Sequence, residues 1–242
     1  MDSIVLAGGF AKRMLPLTKN TPKQLLDLAG EPMLSHVLKS LEGISPERVI
    51  ISVNSFFSSH FSQFIDDYSG PLNLQLFVES SENEEEKLGA LGALNLLFSE
   101  LNINGPVFIA GGDNLSNFDL TEMVSKSKRT NRDVIGLYDV EDNDLAKLYG
   151  IAELKSDRIV DFVEKPTDPK STLAATAYWL LSKEGISNFF DYINAGGDRD
   201  ALGNFLAWNI KRNEVLSVSY RGTWYDIGDL ESYKTAQNWF SE

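Results

Sequence analysis

A recurring alternation of short apolar runs and helical periodicity constrains this chain more than any other feature. The runs fall at Ser3–Ala7, Arg48–Val53, Asn73–Val78, Pro106–Ala110 and Asp133–Tyr138, with helical patterns at 33–42, 57–68, 89–101 and 120–130 between them. Strand followed by helix, repeated, predicts an α/β fold of the doubly wound, Rossmann-like kind: a mixed, mostly parallel sheet with helices on both faces. Phe57, Phe61, Phe64, Ile65 and Tyr68 recur at helical spacing and are read as core. After Tyr138 the rhythm changes. Residues 139–148 form an acidic connector, 149–155 and 158–164 alternate like a hairpin around Ser156-Asp157, and 174–181 is a further strand. This predicts a small antiparallel extension. Helices near 183–194, 200–212 and 229–240 close the chain, with a strand at 214–220. One domain over 1–242 is expected, in two halves of about 1–138 and about 139–242.

Composition limits what such a domain can hold. Asp and Glu number 35 against 22 Lys and Arg, a formal charge of -13. Nucleic acid and anionic membranes both require a basic face, so neither is an expected partner. Any anion must be held by a few placed cations. The chain has no cysteine, which removes disulfides, thiolate ligands and a thiol nucleophile together and suits a reducing compartment, so a cytoplasmic location is expected. It shows no basic-then-apolar leader and no apolar run approaching the roughly 18 residues of a membrane span.

The cations that matter lie beside glycines. Leu6-Ala7-Gly8-Gly9 runs on to Arg13, then Pro16-Leu17-Thr18 and Pro22-Lys23-Gln24. Bare N–H groups, a guanidinium and an ammonium at a strand end suit a polyphosphate. Neither a Walker loop nor a dinucleotide fingerprint is satisfied, and an ordinary βα turn with surface charges stays open. In Gly111-Gly112-Asp113-Asn114 a carboxylate stands where open α/β sheets bind ligands. It can hold Mg²⁺ against phosphate oxygens or cap a turn. Asp226, in Trp224-Tyr225-Asp226-Ile227-Gly228, is a second carboxylate or a helix N-terminal residue. Glu164-Lys165-Pro166 offers an acceptor for hydroxyls and a point charge for phosphate, or a solvated ion pair. Tyr149-Gly150 allows close backbone approach or is a plain turn. His36 and His60 read as structural or solvent-facing, and the Glu82–Lys87 run reads as a solvated loop. No Ser/His/Asp constellation exists, which disfavours hydrolysis by a protein nucleophile.

Together with Leu88-Gly89-Ala90-Leu91-Gly92 and Asp200-Ala201-Leu202-Gly203, these motifs resemble the sugar-1-phosphate nucleotidyltransferases. The likeness is nearest to glucose-1-phosphate thymidylyltransferase-like members that lack a C-terminal left-handed β-helix. It implies a nucleotide-binding first half and a sugar-phosphate-binding second half. Leu6, Ala7, Gly8, Gly9, Glu79 and Gly89 would then bind the nucleotide. Arg13 would neutralise the departing phosphates, Lys23 would bridge the α-phosphate and the incoming sugar phosphate, and Asp113 and Asp226 would hold Mg²⁺. Gly150, Glu164, Lys165 and Tyr178 would bind the sugar phosphate. The implied partners are an NTP and a sugar 1-phosphate; family members commonly form dimers or tetramers, which leaves a homo-oligomer open, and no patch in the sequence identifies an interface.

Two positions depart from the thymidylyltransferase pattern. Glu79 stands where those enzymes place Gln, and an ionised carboxylate only accepts, which suits the donors of guanine. Asp200–Gly203 leans toward the thymidylyl or uridylyl branch, so dTTP or UTP is placed ahead of GTP. In Ala175-Thr176-Ala177-Tyr178 a methyl group replaces a common glycine and would crowd an N-acetyl group. This favours glucose 1-phosphate or mannose 1-phosphate. The alternatives are a mannose-1-phosphate guanylyltransferase, a cytidylyltransferase for phosphocholine or a polyol phosphate, and a non-catalytic NDP-sugar-binding regulatory subunit.

Overall fold

The computed structural model describes residues 1–240. In chain order the first elements are β1 (Asp2–Leu6), β2 (Asp27–Leu28), β3 (Glu31–Pro32), α1 (Met33–Glu42), β4 (Val49–Asn54), α2 (Ser58–Asp66) and β5 (Leu74–Glu79). Then come α3 (Ala90–Glu100), β6 (Val107–Gly111), β7 (Asn114–Ser116), α4 (Thr121–Thr130), β8 (Asp133–Asp139), α5 (Asn143–Ala146), β9 (Gly150–Lys155) and β10 (Arg158–Glu164). The last are β11 (Leu173–Leu181), α6 (Lys183–Asn194), α7 (Leu202–Asn209), β12 (Val215–Tyr220), β13 (Trp224–Asp226) and α8 (Leu230–Phe240). The fold is the expected mixed α/β class, with parallel strands and an antiparallel set. No helix among the described residues is long and apolar enough to cross a membrane.

The chain divides into two compact units. One comprises Met1–Lys87, Ala110–Asp119 and the segment from Gly222 onward, the other Leu88–Ile109 and Leu120–Arg221. In the first unit β1, β4 and β5 pair in parallel, with Leu6 opposite Ser52 and Asn54 opposite Glu79. Their apolar residues Ile4, Val5, Val49, Ile50, Ile51 and Val53 are all fully buried. The α1 helix presents Met33, Leu34, Val37, Leu38 and Leu41 on one stripe, each at most 1% exposed. The apolar face of α2 is narrower than its spacing suggests: Phe57 and Phe61 are buried, while Phe64, Ile65 and Tyr68 are partly exposed. The helix stops at Asp66, which leaves Tyr68 beyond its last turn. A short antiparallel ladder joins β7 to β13, with Asn114 opposite Asp226. Three-residue strands carry no periodic signal, and this pairing was absent from the sequence reading.

In the second unit the strand order is β6-β11-β8-β12-β10-β9. The expected hairpin is present, with β9 and β10 antiparallel and Gly150 opposite Glu164. Ser156 takes up the left-handed turn at φ +59°. The α7 helix starts at Leu202 rather than near residue 200 because the preceding backbone serves another helix. The carbonyls of Arg199 and Asp200 accept from the N–H groups of Ala90, Leu91 and Gly92, at 2.8–3.3 Å. These are the donors that the start of α3 cannot satisfy within its own helix.

Asp133, at the start of β8, knots this unit together. It is 4% exposed and accepts from the Ser182 N–H and hydroxyl, both at 2.8 Å, and from the Asn209 amide at 2.9 Å. Asp133→Ala strands these donors in the interior and is expected to cost about 3 kcal/mol, read as a lower urea midpoint at unchanged slope. Burial pushes the Asp133 carboxyl above its usual range, against the pull of the Ser182 and Asn209 bonds. The native state therefore holds its proton to higher pH than the unfolded chain does. The contribution of this carboxyl to stability falls as pH rises from the ordinary Asp value through the raised native one, a slope the alanine variant should lose.

Candidate active site

The register of the first unit builds the glycine loop. Two residues beyond the Leu6–Ser52 pair, Gly8 comes level with Asn54 and Glu79. The Asn54 amide donates to the Gly8 carbonyl at 2.9 Å, and the Ser52 hydroxyl donates to Glu79 Oε1 at 2.9 Å. The Glu79 carboxyl packs directly on the Gly8 Cα, so that a Cβ there would fall 2.8 Å from Oε1. Only glycine permits this approach. Glu79 is 4% exposed. Burial pushes its carboxyl above the usual range, with the Ser52 hydroxyl pulling the other way. Gly9 faces open space. Ala11 sits in the left-handed region at φ +48°, and its carbonyl accepts from Met14 N and from the Thr18 hydroxyl, each at 2.9 Å. The loop is thereby shaped before any ligand binds, with Arg13 exposed on the turn Lys12–Met14.

Lys23 lies on the turn Lys23–Leu25 and is 8% exposed. Its ammonium donates to Asp113 Oδ2 and, at 2.7 Å, to the Ile227 carbonyl. The Asn114 amide donates both to Asp113 Oδ1 at 3.1 Å and to Asp226 Oδ1 at 3.3 Å. The Trp224 indole fixes that amide by donating to its oxygen at 2.9 Å. One side-chain nitrogen thus gathers two carboxylates that are distant in sequence. Burial works to raise the Asp113 carboxyl, but the Lys23 ammonium and the hydrogen bonds from Lys23 and Asn114 outweigh it and hold the group below the usual range. The Gln24 carboxamide oxygen is buried without a hydrogen-bond partner, and its side chain lies against Gly112, where a Cβ would come 3.0 Å from Gln24 Cγ.

No cluster of three or more metal-ligating side chains occurs among the described residues. A pair is what Mg²⁺ uses, because it is commonly held by one or two carboxylates, with substrate phosphates and water completing the shell. Asp113 and Asp226, drawn to one amide, fit that donor set.

In the second unit Glu164, at the end of β10, rests on two glycines. A Cβ on Gly150 would come 2.8 Å from Glu164 Oε2, and one on Gly203 would come 2.6 Å from the same oxygen. Gly203 closes the Asp200–Gly203 motif, so that stretch meets Glu164 in space. Lys165 is exposed, holds φ +45°, a costly conformation for a residue with a Cβ, and donates from its backbone to the Tyr149 carbonyl at 3.0 Å. Tyr178, expected at the sugar phosphate, is instead fully buried, with its ring 6.4 Å from that of Phe108 between centroids. It offers no face to a ligand. Gly89 is required by its own neighbours: it holds φ +72°, and a Cβ would fall 2.4 Å from the Arg199 carbonyl.

Ser52, Asn54 and the bridging role of Asn114 escaped the sequence reading. Counting the parallel register two residues past Leu6 would have found Asn54. Nothing local marks Asn114 as a bridge, since its second carboxylate lies 112 residues away.

A family model described as nucleotidyl transferase matches residues 2–241. Mannose-1-phosphate guanylyltransferase 1 of Arabidopsis thaliana is 30% identical over 97% of this chain and 63% of its own length. UTP–glucose-1-phosphate uridylyltransferase of Haloferax volcanii is 28% identical over 75% of this chain and 72% of its own. This chain spans about three fifths of the length of the first curated relatives it matches. A solved UDP-glucose pyrophosphorylase complexed with UDP-glucose shares the fold, with a TM-score of 0.83 at 20% identity, covering 99% of this chain and 97% of that one.

Proposed function

We propose, for a chain that belongs to the nucleotidyl transferase family, a reaction that joins a nucleoside triphosphate to a sugar 1-phosphate and releases pyrophosphate. The observation that carries this reading is the Lys23–Asp113–Asn114–Asp226 cluster beside an exposed glycine loop. In the first unit the backbone of Gly8 and Gly9 would meet the nucleotide, Arg13 the β- and γ-phosphates, and Lys23 the α-phosphate. In the second, Glu164 and the Gly150 backbone would bind sugar hydroxyls and Lys165 the sugar phosphate.

A phosphate monoester has its second pKa near about 6, so the sugar phosphate is mostly dianionic at neutral pH and needs no general base. Its oxygen bonds to the α-phosphorus as the bond from that phosphorus to the bridging oxygen of the β-phosphate breaks. The obstacle is repulsion between anions and the charge growing on pyrophosphate, which Arg13 and Lys23 offset. Mg²⁺ held by Asp113 and Asp226 would add Lewis-acid neutralisation of the phosphate oxygens.

Mannose-1-phosphate guanylyltransferases recur by name among the relatives of this chain. They support GTP and mannose 1-phosphate as the first substrate pair, ahead of the order inferred from sequence motifs. The order inferred from the sequence motifs, dTTP or UTP, stays as the second reading, with Glu79, packed on Gly8 of the glycine loop, as the residue that would meet the base. Pyrophosphate release measured across all common NTPs with glucose and mannose 1-phosphates decides between them. No release from any pair, with NDP-sugar binding retained, would favour a regulatory protein. On the first reading Glu79→Gln should lower GTP kcat/KM by roughly tenfold while UTP or dTTP use rises. An unchanged preference would remove Glu79 from base selection.

A further inference from the structure

Three consecutive residues, beginning with the last of β13, each touch a group of the candidate site. Asp226 Oδ1 accepts from the Asn114 amide at 3.3 Å. Ile227 donates its N–H to the Asp113 carbonyl at 3.0 Å and accepts from the Lys23 ammonium at 2.7 Å. Gly228 lies against the guanidinium of Arg13, where an added Cβ would come 3.2 Å from one terminal nitrogen, 3.7 Å from Cζ and 3.8 Å from the other nitrogen. A side-chain carbon at 228 would thus come up against three atoms of the guanidinium group, and glycine leaves that space to Arg13.

The turn is itself fixed. Gly228 donates its N–H to the Asp226 carbonyl at 3.0 Å and to the Ser232 hydroxyl at 3.2 Å. Asp229 Oδ1 accepts from the N–H groups of Glu231 and Ser232 at 3.1 and 2.9 Å, capping the start of α8. The Ser232 N–H and hydroxyl hold the Asp229 carboxyl below its usual range, and the charge of Arg13 contributes in the same direction. Arg13 therefore stands next to a structured, negatively charged turn.

We propose that Gly228 is a positioning residue for Arg13, and that the 227–228 turn sets the spacing of the two phosphate cations before the triphosphate arrives. The Ile227 carbonyl holds Lys23 and the Gly228 surface seats Arg13, so two donors from the chain's first twenty-three residues take their places from one turn more than two hundred residues later. Preset cations need less ordering when the ligand binds. The inference rests on the reading of Arg13 and Lys23 as phosphate-binding groups.

Gly228→Ala tests it cleanly, because Gly228 is not among the glycines at positive φ and alanine can adopt its backbone. The guanidinium must then move by a few tenths of an ångström. The variant should raise the KM for NTP by roughly three- to tenfold, leave the KM for sugar phosphate unchanged, and melt with the parent. In an Arg13→Ala background the same substitution should add nothing further to the NTP KM. Parental NTP KM in Gly228→Ala, or an equal loss with Arg13 already removed, overturns the proposal. If Arg13→Ala weakens NTP binding while Gly228→Ala does not, only the positioning role falls. If Arg13→Ala leaves NTP binding intact, the reading of Arg13 falls and the proposal with it.

Discussion

Lys23→Ala is expected to lower pyrophosphate release by about 10²- to 10³-fold, the scale seen when a preorganised donor to developing charge is removed. The same change should destabilise the fold, because the ammonium has structural partners. It is buried against Asp113 and the Ile227 carbonyl, and its removal leaves a carboxylate whose side chain is 27% exposed with no cation beside it. Partial exposure lets water recover some of the loss, so about 2 kcal/mol is expected rather than the larger cost of a fully enclosed pair. The pH dependence has a definite sign. Asp113 is held below the usual carboxylate range by Lys23 and Asn114, against burial. Its contribution to stability is fully present above the ordinary Asp value and is lost as pH falls through the lower native one. In Lys23→Ala burial is no longer outweighed by the ammonium, and acid unfolding should begin at higher pH. Steady-state kinetics with an acid titration followed by circular dichroism measures both effects. Turnover within twofold of the parent would remove Lys23 from the reaction.

How much of this was legible in the sequence depends on where each signal resides. The runs behind β1 and β4 are visible because parallel strands covered on both faces read as continuous apolar stretches, whereas β5 lies at the sheet edge with Val78 45% exposed. The α1 helix coincides with its predicted span, 33–42, because its apolar stripe is regular and Pro32 marks its start. The β9–β10 hairpin was visible through Ser156-Asp157. Tyr178 shows the limit. Residues Tyr178 to Leu181 are all at most 2% exposed, so no alternation separates one face of β11 from the other, and the pairing with β8 shifts register between Ala175 and Trp179. The charged site residues were legible as residue types near glycines. Their mutual placement was not, because it rests on the parallel row of Gly8, Asn54 and Glu79 and on a ladder of three-residue strands. Glu164 likewise could be named from Glu164-Lys165-Pro166, while its seat on Gly203 requires α7 to be docked.

The two candidate metal carboxylates should respond differently to the same chemical change, and that difference tests their assignment better than either loss alone. Asp226 Oδ1 accepts a long hydrogen bond from Asn114, 3.3 Å, and the backbone of Asp226 is held in the ladder with Asn114. Asp226→Asn keeps the shape and the ladder and removes the charge. It is expected to melt close to the parent, to lose on the order of 10²-fold in turnover, and to need far more Mg²⁺ to reach its maximum. Asp113→Asn removes charge from the partner of Lys23 as well. It should therefore lose turnover to at least the same degree and also lose stability, since a buried ammonium is left facing a neutral amide. Its acid unfolding should move as that of Lys23→Ala does. Magnesium titrations of pyrophosphate release, set beside thermal melts of the metal-free proteins, separate the two. A parental Mg²⁺ dependence in Asp226→Asn would confine the metal to Asp113 and the substrate phosphates, and would leave Asn114 holding Asp226 for structure alone.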